Sequence, residues 1–467
     1  MRDSKILRKP TTLLSRRQFL SSAATAGLLC TIAPMVSAAP SRKPNVILIY
    51  TDDQGSVDLP SVGSSDLYMA NVEALAAKGT RFTQFYAPSP VCSPSRAGAL
   101  TGRYPLRAGV PNNVGEKGLP GAQVTLAETL KAAGYATAHI GKWHLGADSE
   151  SNPNAQGFDY SFGHMSGCID SYSHFFYWSG PNRHDLYRNG KEIFENGRFF
   201  MDLMVEEAGQ FMEAHRDEPF FIYFAPNAPH YPYQGEPEWQ DVYAKAGASY
   251  PRNLYASFLS TLDERIGALL AKVDALGLRN DTIVIYQADN GHSTEERAHF
   301  GGGSAGPYRG AKFSLFEGGI RVPAVISWPG RIPEGSVRRQ VAHGCDWLPT
   351  IAELCGVPLL SNDIDGRSLV KMIRADQEPT PHDELHWFVG EAKSGGRWAV
   401  RKGDWKLLCD ALDTSDGKHV VQVDGLFLAN LADDPGERTN LAESHPEKLQ
   451  ELLQAHDAWY ATARPTV

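Results

Sequence analysis

Positive charge is what this 467-residue chain is short of: 45 Lys and Arg stand against 54 Asp and Glu, a formal net charge of −9. Without an overall basic field, nucleic-acid binding is set aside. Cysteine is sparse, six in all, and the spacing of Cys168, Cys345, Cys355 and Cys409 fits no zinc pattern. Those four read as scattered buried thiols or disulfide partners, and a chain this long needs no disulfide to fold. Internal repeats and low-complexity tracts are absent as well. So is a stable membrane anchor: the apolar run within "LSRRQFLSSAATAGLLCTIAPMVSAAP" is short and broken by Ser and Thr.

That same stretch carries Arg16-Arg17, then Phe19-Leu20, and small residues at Ser37-Ala38-Ala39. The pattern is that of a twin-arginine export signal over residues 1–39, cleaved near Ala38 or Ala39. Cys30 follows Leu29 rather than a small residue, so lipoprotein processing is not expected. The expected location is periplasmic or secreted.

Downstream, short apolar runs alternate with helical patterns, which points to an α/β fold. A large mixed, mostly parallel sheet sandwiched by helices is expected over residues 40–375. A polar, proline-containing connector then leads to a smaller C-terminal α+β part, 376–467, with a short antiparallel sheet and a final helix. Four runs stand out: "NVILIY" (45–50), "YATAHIG" (135–141), "FFIYFA" (220–225) and "TIVIYQA" (282–288). Each hands over at its carboxyl end to polar or ionisable residues, and in open α/β sheets that edge is where ligands bind. Between them, Thr125 and Glu128 form a capping-box pattern, with Gly134 at the helix end.

Asp52, Asp53, Asp289 and Asn290 bring four oxygen-bearing side chains to two matched strand ends. Three are anionic and would repel one another unless a cation sat among them. A set of oxygens without histidine favours a hard ion, Ca²⁺ or Mg²⁺, over zinc. "SPVCSPSRAGALTG" (89–102) reads as a helix start, with Ser93 as cap and Pro94 at the first helical position. Cys92 would sit in the positive field of that terminus, with Arg96 reaching back toward it. Lys142, His144, His230 and Lys312 come from other loops of the same character. Cations beside a carboxylate-bound dication make a pocket for a tetrahedral oxyanion ester.

"CSPSR" followed by "AGALTGRYP", with "TDDQG", "GKWHLG", "APH", "ADNG" and "RGAKFSLFEGGIRVP" in order, resembles the signature set of the type I sulfatases. The resemblance runs from about residue 44 to the C-terminus. It implies an alkaline-phosphatase-like fold and oxidation of Cys92 to formylglycine by a maturation enzyme. One hydroxyl of the hydrated aldehyde would attack sulfur; His144 would take the proton of the second as sulfate leaves. Arg96 and Lys142 would hold the diol, and Lys312 and His230 would grip the sulfate and protonate the leaving alcohol. The resemblance also implies Ca²⁺ as the metal, ligated by Asp52, Asp53, Asp289, Asn290 and the modified Cys92.

The insert "GFDYSFGHMSGCIDSYSHFFYWSG" (157–180) is rich in aromatics and His, as a sugar-stacking surface would be. It resembles the matching stretch of N-acetylgalactosamine-4-sulfatases, which makes Asp170 and His174 the candidates for sugar hydroxyl contacts. The substrate expected is a sulfated carbohydrate with galactose- or N-acetylgalactosamine-type units. Two rivals stand beside it: a phosphodiesterase or phosphonate monoester hydrolase of the same superfamily, and a catalytically silent binder of sulfated glycans.

Overall fold

The computed structural model describes residues 42–178, 180–390 and 396–463. The export signal expected over 1–39 lies outside the described residues. Arg42–Val467 forms one compact unit.

All four apolar runs are strands: Asn45–Thr51, Ala136–Lys142, Phe220–Ala225 and Thr282–Ala288. They lie side by side and parallel at the centre of a ten-stranded sheet. Asn45–Thr51 pairs with Thr282–Ala288 on one side and with Phe220–Ala225 on the other, and Ala136–Lys142 comes next. Towards one edge Ala324–Ser327 runs antiparallel, and towards the other Tyr160–His164 continues the parallel run. All four strand ends therefore open on the same edge.

The reason for unbroken apolar runs is burial on both faces. Val46, Leu48 and Tyr50 pack with the helices Cys92–Thr101, Leu126–Ala132 and Trp347–Cys355. Ile47 and Ile49 point the other way, into a cluster with Phe200–Ala214 and Arg252–Ala275. Alternate residues of one strand thus seed two separate cores. The capping box forms as expected, with the Glu128 N–H donating to Thr125 Oγ1 (3.1 Å) and the Thr125 N–H to Glu128 Oε2 (2.7 Å).

At the C-terminal end, Leu385–Val389, Arg397–Lys402, Trp405–Asp413 and Val421–Asn430 make a four-stranded antiparallel sheet. One face packs Phe388, Val400 and Leu407 with the helix Pro446–Ala463. The other packs Trp387, Ala399 and Leu408 against Tyr86, Phe316 and Ile320 of the main body. The small sheet therefore shares a core with the segment that follows Lys312. Cys92, Cys168, Cys345, Cys355 and Cys409 are all free thiols.

Candidate active site

The helix after the "SPV" turn starts two residues earlier than expected. Cys92 is its first residue and Val91 the N-cap, which places Pro94 third, where an absent N–H still costs nothing. Ser93 does not cap: its Oγ accepts the Val114 N–H (3.2 Å), and Asn113 Oδ1 accepts the Ser93 N–H (3.0 Å). Cys92 is fully enclosed at the floor of a cavity of about 780 Å³.

Beneath it the two acidic strand ends meet. Donor atoms of Asp52, Cys92 and Asp289 all lie within 4.8 Å of one another. The Cys92 thiol donates to Asp52 Oδ1 (3.6 Å), and the Asp53 N–H donates to Asp289 Oδ1 (3.0 Å). Asn290 Nδ2 donates to Asp53 Oδ1 (2.7 Å) and to the Gly291 carbonyl (2.9 Å). That leaves Asn290 Oδ1 buried with no donor. A bare carbonyl oxygen beside carboxylates is the donor set a hard cation takes, so the residues fit a Ca²⁺- or Mg²⁺-type ion.

Contrary to expectation, the three carboxylates do not depend on a metal to offset their repulsion. Each carboxylate already has its own cation: Lys142 Nζ reaches both oxygens of Asp52 (2.8 and 2.7 Å), Arg96 Nη2 reaches Asp289 (2.8 Å), and Lys312 Nζ reaches Asp53 (2.7 Å). Arg96 also lies 3.4 Å from Asp52, so it serves the carboxylates. With three charges of each sign, an added dication makes the site net positive, as an anionic ester requires.

Electrostatics divide the groups sharply. Burial alone pushes Asp52 up, but Lys142, His230 and Arg96 outweigh it and hold the carboxyl well below its ordinary value. Burial, with Asp52 as a like-charged neighbour, lifts Asp53 to about 6 and Asp289 to about 7 against the opposing cations. Burial pushes the Cys92 thiol far up, so the unmodified side chain is a poor nucleophile. Lys312 is held well above its ordinary value by Asp53 and Cys92 despite burial. His230 is pushed down to about 3 by burial and by Lys312. His144 is likewise driven well down by burial and by Lys142. At neutral pH, then, Lys312 is the cation and both histidines are neutral.

Three residues here adopt left-handed backbone: Asp53 (φ 59°), His144 (φ 52°) and Phe313 (φ 72°). Non-glycine residues seldom do so, and such conformations concentrate at functional sites. The His144 ring lies against Gly167, where a Cβ would stand 2.7 Å from Cε1, so any other residue there would displace the ring. His144 Nδ1 has no partner.

Cys92, His144, His230 and Lys312 all line the cavity, while Asp52, Asp53, Asp289, Asn290, Arg96 and Lys142 gather below it. Asp170 and His174 are not brought to it. The Asp170 carboxylate is spent on its own turn, accepting from Tyr172 N–H, Ser173 N–H and Oγ, and Gln234 Nε2. His174 is fully buried, with Nε2 at 3.1 Å from the Arg198 carbonyl. Their insert does reach the cavity through Gly167, Cys168, Phe176 and Trp178.

Sequence reasoning missed Glu295, whose Oε2 accepts from Tyr231 Oη (3.0 Å) and lies 3.7 Å from Lys312 Nζ. It sits six residues past the Asp289 strand end, which is the one signal that could have found it. It also missed Tyr223, whose hydroxyl accepts from Arg96 (3.3 Å).

Acidic strand ends, paired lysines and an enclosed side chain at a helix N-terminus define a hydrolase of tetrahedral oxyanion esters, built on an alkaline-phosphatase-like sheet. Comparison with known proteins narrows the class. The family model described as Sulfatase matches residues 44–357, and the chain belongs to that family, the hydrolases of sulfuric esters. A second model, described as the C-terminal part of N-sulphoglucosamine sulphohydrolase, matches residues 310–457. Arylsulfatase A of Bos taurus is 34% identical over 468 residues, covering 91% of this chain and 88% of the bovine protein. N-acetylgalactosamine-6-sulfatase of Mus musculus is 30% identical, covering 90% and 86%. The crystal structure of Ps i-CgsB in complex with k-i-k-neocarrahexaose superposes with a TM-score of 0.79 at 27% identity, covering 90% of this chain and 93% of that one. No helix among the described residues is long and apolar enough to cross a membrane.

Proposed function

We propose that this sulfatase removes sulfate from a sulfated carbohydrate, of galactose or N-acetylgalactosamine type, and that Cys92 works as formylglycine. One observation carries the reading. Cys92 is enclosed at the cavity floor within reach of Asp52 and Asp289, yet its thiol is held protonated there. A hydrated aldehyde at that position presents hydroxyls where the thiol presents nothing reactive.

A dication bound by Asp52, Asp53, Asp289, Asn290 and the modified Cys92 would supply positive charge to the sulfate oxygens and to the nucleophilic hydroxyl. We take it to be Ca²⁺. The chain's own groups do the rest. Lys142, fixed on Asp52, and Arg96, fixed on Asp289, hold the floor positive and rigid. Neutral His144, with Nδ1 free, is placed to accept a proton. Lys312 carries a proton at neutral pH and lines the cavity beside His230, so it can stabilise or protonate the departing oxygen.

The carbohydrate assignment is supported by the cavity's size, which suits a sugar unit, and by the carbohydrate-bound neighbour described above. Trp178, 40% exposed at the cavity wall and tilted against Tyr231 at 5.8 Å, offers a stacking surface. It takes the place of Asp170 and His174 as the contact expected from that insert. Processing by a maturation enzyme and export by the twin-arginine route belong to the same proposal.

Mass spectrometry of the Cys92 peptide from protein made in its native host tests the nucleophile, and formylglycine is expected. Recovery of the thiol alone from active enzyme overturns it. A panel of singly sulfated sugars and a matched aryl phosphodiester tests the substrate: fastest turnover on the phosphodiester rejects the carbohydrate-sulfate reading. Calorimetry should show Ca²⁺ raising the unfolding temperature of chelator-treated protein, and no shift with either Ca²⁺ or Mg²⁺ removes the metal.

A further inference from the structure

We infer that Arg183 is a second anion-binding point, reading a sulfate or carboxylate of the substrate other than the one that is cleaved. The inference rests on the cavity being the sulfatase site. Arg183 comes from a short antiparallel ribbon, Phe175–Phe176 against Arg183–His184, and lines the same cavity as Cys92.

Three observations set it apart from an ordinary surface arginine. Its guanidinium lies 4.3 Å above the centre of the Phe176 ring. Nη2 donates to Ser166 Oγ at 2.8 Å. No carboxylate among the described residues pairs with it, whereas Arg96 is locked to Asp289 at 2.8 Å. A planar fork held on one face and one edge is partly ordered in advance, and Arg183, exposed where it lines the cavity, keeps its other N–H donors accessible.

The ribbon is itself anchored. Asp185 Oδ1 accepts the Met165 N–H (3.0 Å) and Oδ2 the Ser166 N–H (2.9 Å). The same 165–168 loop supplies Gly167, which packs on the His144 ring. Arg183 therefore stands in fixed relation to the group that faces the reacting end of the substrate.

The scissile sulfate is already served by Lys312 and His230, which line the cavity beside Cys92. A sugar with a single sulfate leaves Arg183 with no partner, and one with a further anionic group satisfies it bidentately. Glu116, also on the cavity wall, disfavours such a group at its own position and so gives the substrate an orientation. The substrate class is thus an oligosaccharide carrying at least two anionic groups on the same or adjoining units.

The experiment compares kcat/KM for three matched oligosaccharides: singly sulfated, doubly sulfated, and singly sulfated with an adjoining uronate. Wild-type enzyme is expected to favour at least one doubly anionic substrate by about 10-fold or more, mostly through KM. The preferred arm tells sulfate from carboxylate. Arg183→Ala should bring the three substrates together, and Arg183→Lys should keep part of the preference. Equal kcat/KM values in the wild type, or an unchanged preference in both variants, overturn the inference. If Arg183→Ala fails to fold, the Arg183→Lys ratio still decides. Wild-type failure to release sulfate from every substrate, a simple aryl sulfate included, would instead defeat the underlying reading.

Discussion

The charge cluster below Cys92 and the one beneath the C-terminal sheet are made from the same parts. In the second, Lys406 Nζ sits 3.0 Å from Glu317 and 3.0 Å from Glu437, with Arg321 3.3 Å from Glu317. Tyr86 Oη donates to Glu317 at 2.6 Å and receives a hydrogen bond from Arg401. Lys406, Glu317 and Glu437 are as deeply buried as Asp52 and Lys142. What differs is the remainder. Beneath the sheet, apolar neighbours such as Phe316 and Leu408 close the cluster over. Below Cys92 the ions open on a cavity, whose wall includes His144; left-handed backbone is common to both clusters, since Glu437 (φ 50°) holds it as Asp53 and His144 do. Buried ion pairs by themselves mark structure as readily as chemistry. The open cavity is what tells the two apart, because a buried oxygen without a hydrogen-bond partner occurs in both, Asn290 Oδ1 in one and Glu437 Oε1 in the other.

The largest effect that sharpens the contrast is at Cys92. Cys92→Ala should lower sulfate release by about 10³-fold or more while leaving thermal unfolding within about 1 kcal/mol of wild type. Turnover that survives the substitution would make the opened cluster as inert as the closed one.

Next come the two lysines. Lys406→Met removes the ammonium shared by two buried carboxylates, leaving Glu437 without its cation, and should cost about 3–5 kcal/mol in denaturant unfolding. Lys312→Met should cost less stability but lower kcat by about 10²-fold or more, because it removes charge facing the departing group. If both variants lost stability and activity in the same proportion, the division into structural and chemical clusters would fail.

A third measurement uses pH. Burial, with Glu317 as a like-charged neighbour, raises Glu437 from its ordinary 4.5 to about 7 against the pull of Lys406. Between those values the folded chain keeps a proton that the unfolded chain has released. Its stabilising contribution is therefore complete below 4.5 and is lost as pH rises through 7. Glu317 runs the other way. Burial raises it, but Lys406 and Arg321 hold it at about 2, so its contribution is present above 4.5 and is lost as pH falls towards 2. Glu437→Gln should flatten the decline in unfolding free energy between pH 5 and 8 by about 1–3 kcal/mol. An unchanged slope rejects Glu437 as its source.

Much of the first cluster was legible before any coordinates, because the chemistry is written beside the strands that carry it. "IYTDD" and "QADNG" place acids directly after β-rich runs, and parallel pairing then brings those ends together. The pairing of each acid with its own lysine or arginine was not legible. Asp53 and Lys312 are 259 residues apart and meet only through the fold. The helix start slipped by two residues because Ser93 found a tertiary partner in Val114 that competes with capping. Asp170 looked like a ligand contact because a Tyr-Ser-His follows it. Yet an acid two and three residues before free N–H groups closes a turn on itself, and local geometry won. The closed cluster left no mark at all: Lys406 in "DWKLL" reads as one more solvated lysine.

The smallest predicted effect joins the two regions. Thr414 follows the strand Trp405–Asp413, and its Oγ1 accepts the Ala311 N–H (3.0 Å) while donating to the Lys312 carbonyl (3.0 Å). Its own carbonyl accepts from Thr294 Oγ1 (2.9 Å), next to Glu295. The residue that follows this strand thus holds the backbone on both sides of the Lys312 Cα. Thr414→Val keeps the shape but leaves an N–H and a carbonyl unpaired, a local penalty of about 1–3 kcal/mol. Lys312 Nζ would then be less firmly placed, and kcat should fall about 3- to 10-fold with little change in KM. Thr414→Ser, which restores the hydroxyl, should recover most of the rate. A role confined to stability predicts something else: Thr414→Val would lower the unfolding midpoint and leave kcat where it was, and the C-terminal sheet would then brace the catalytic body without tuning it.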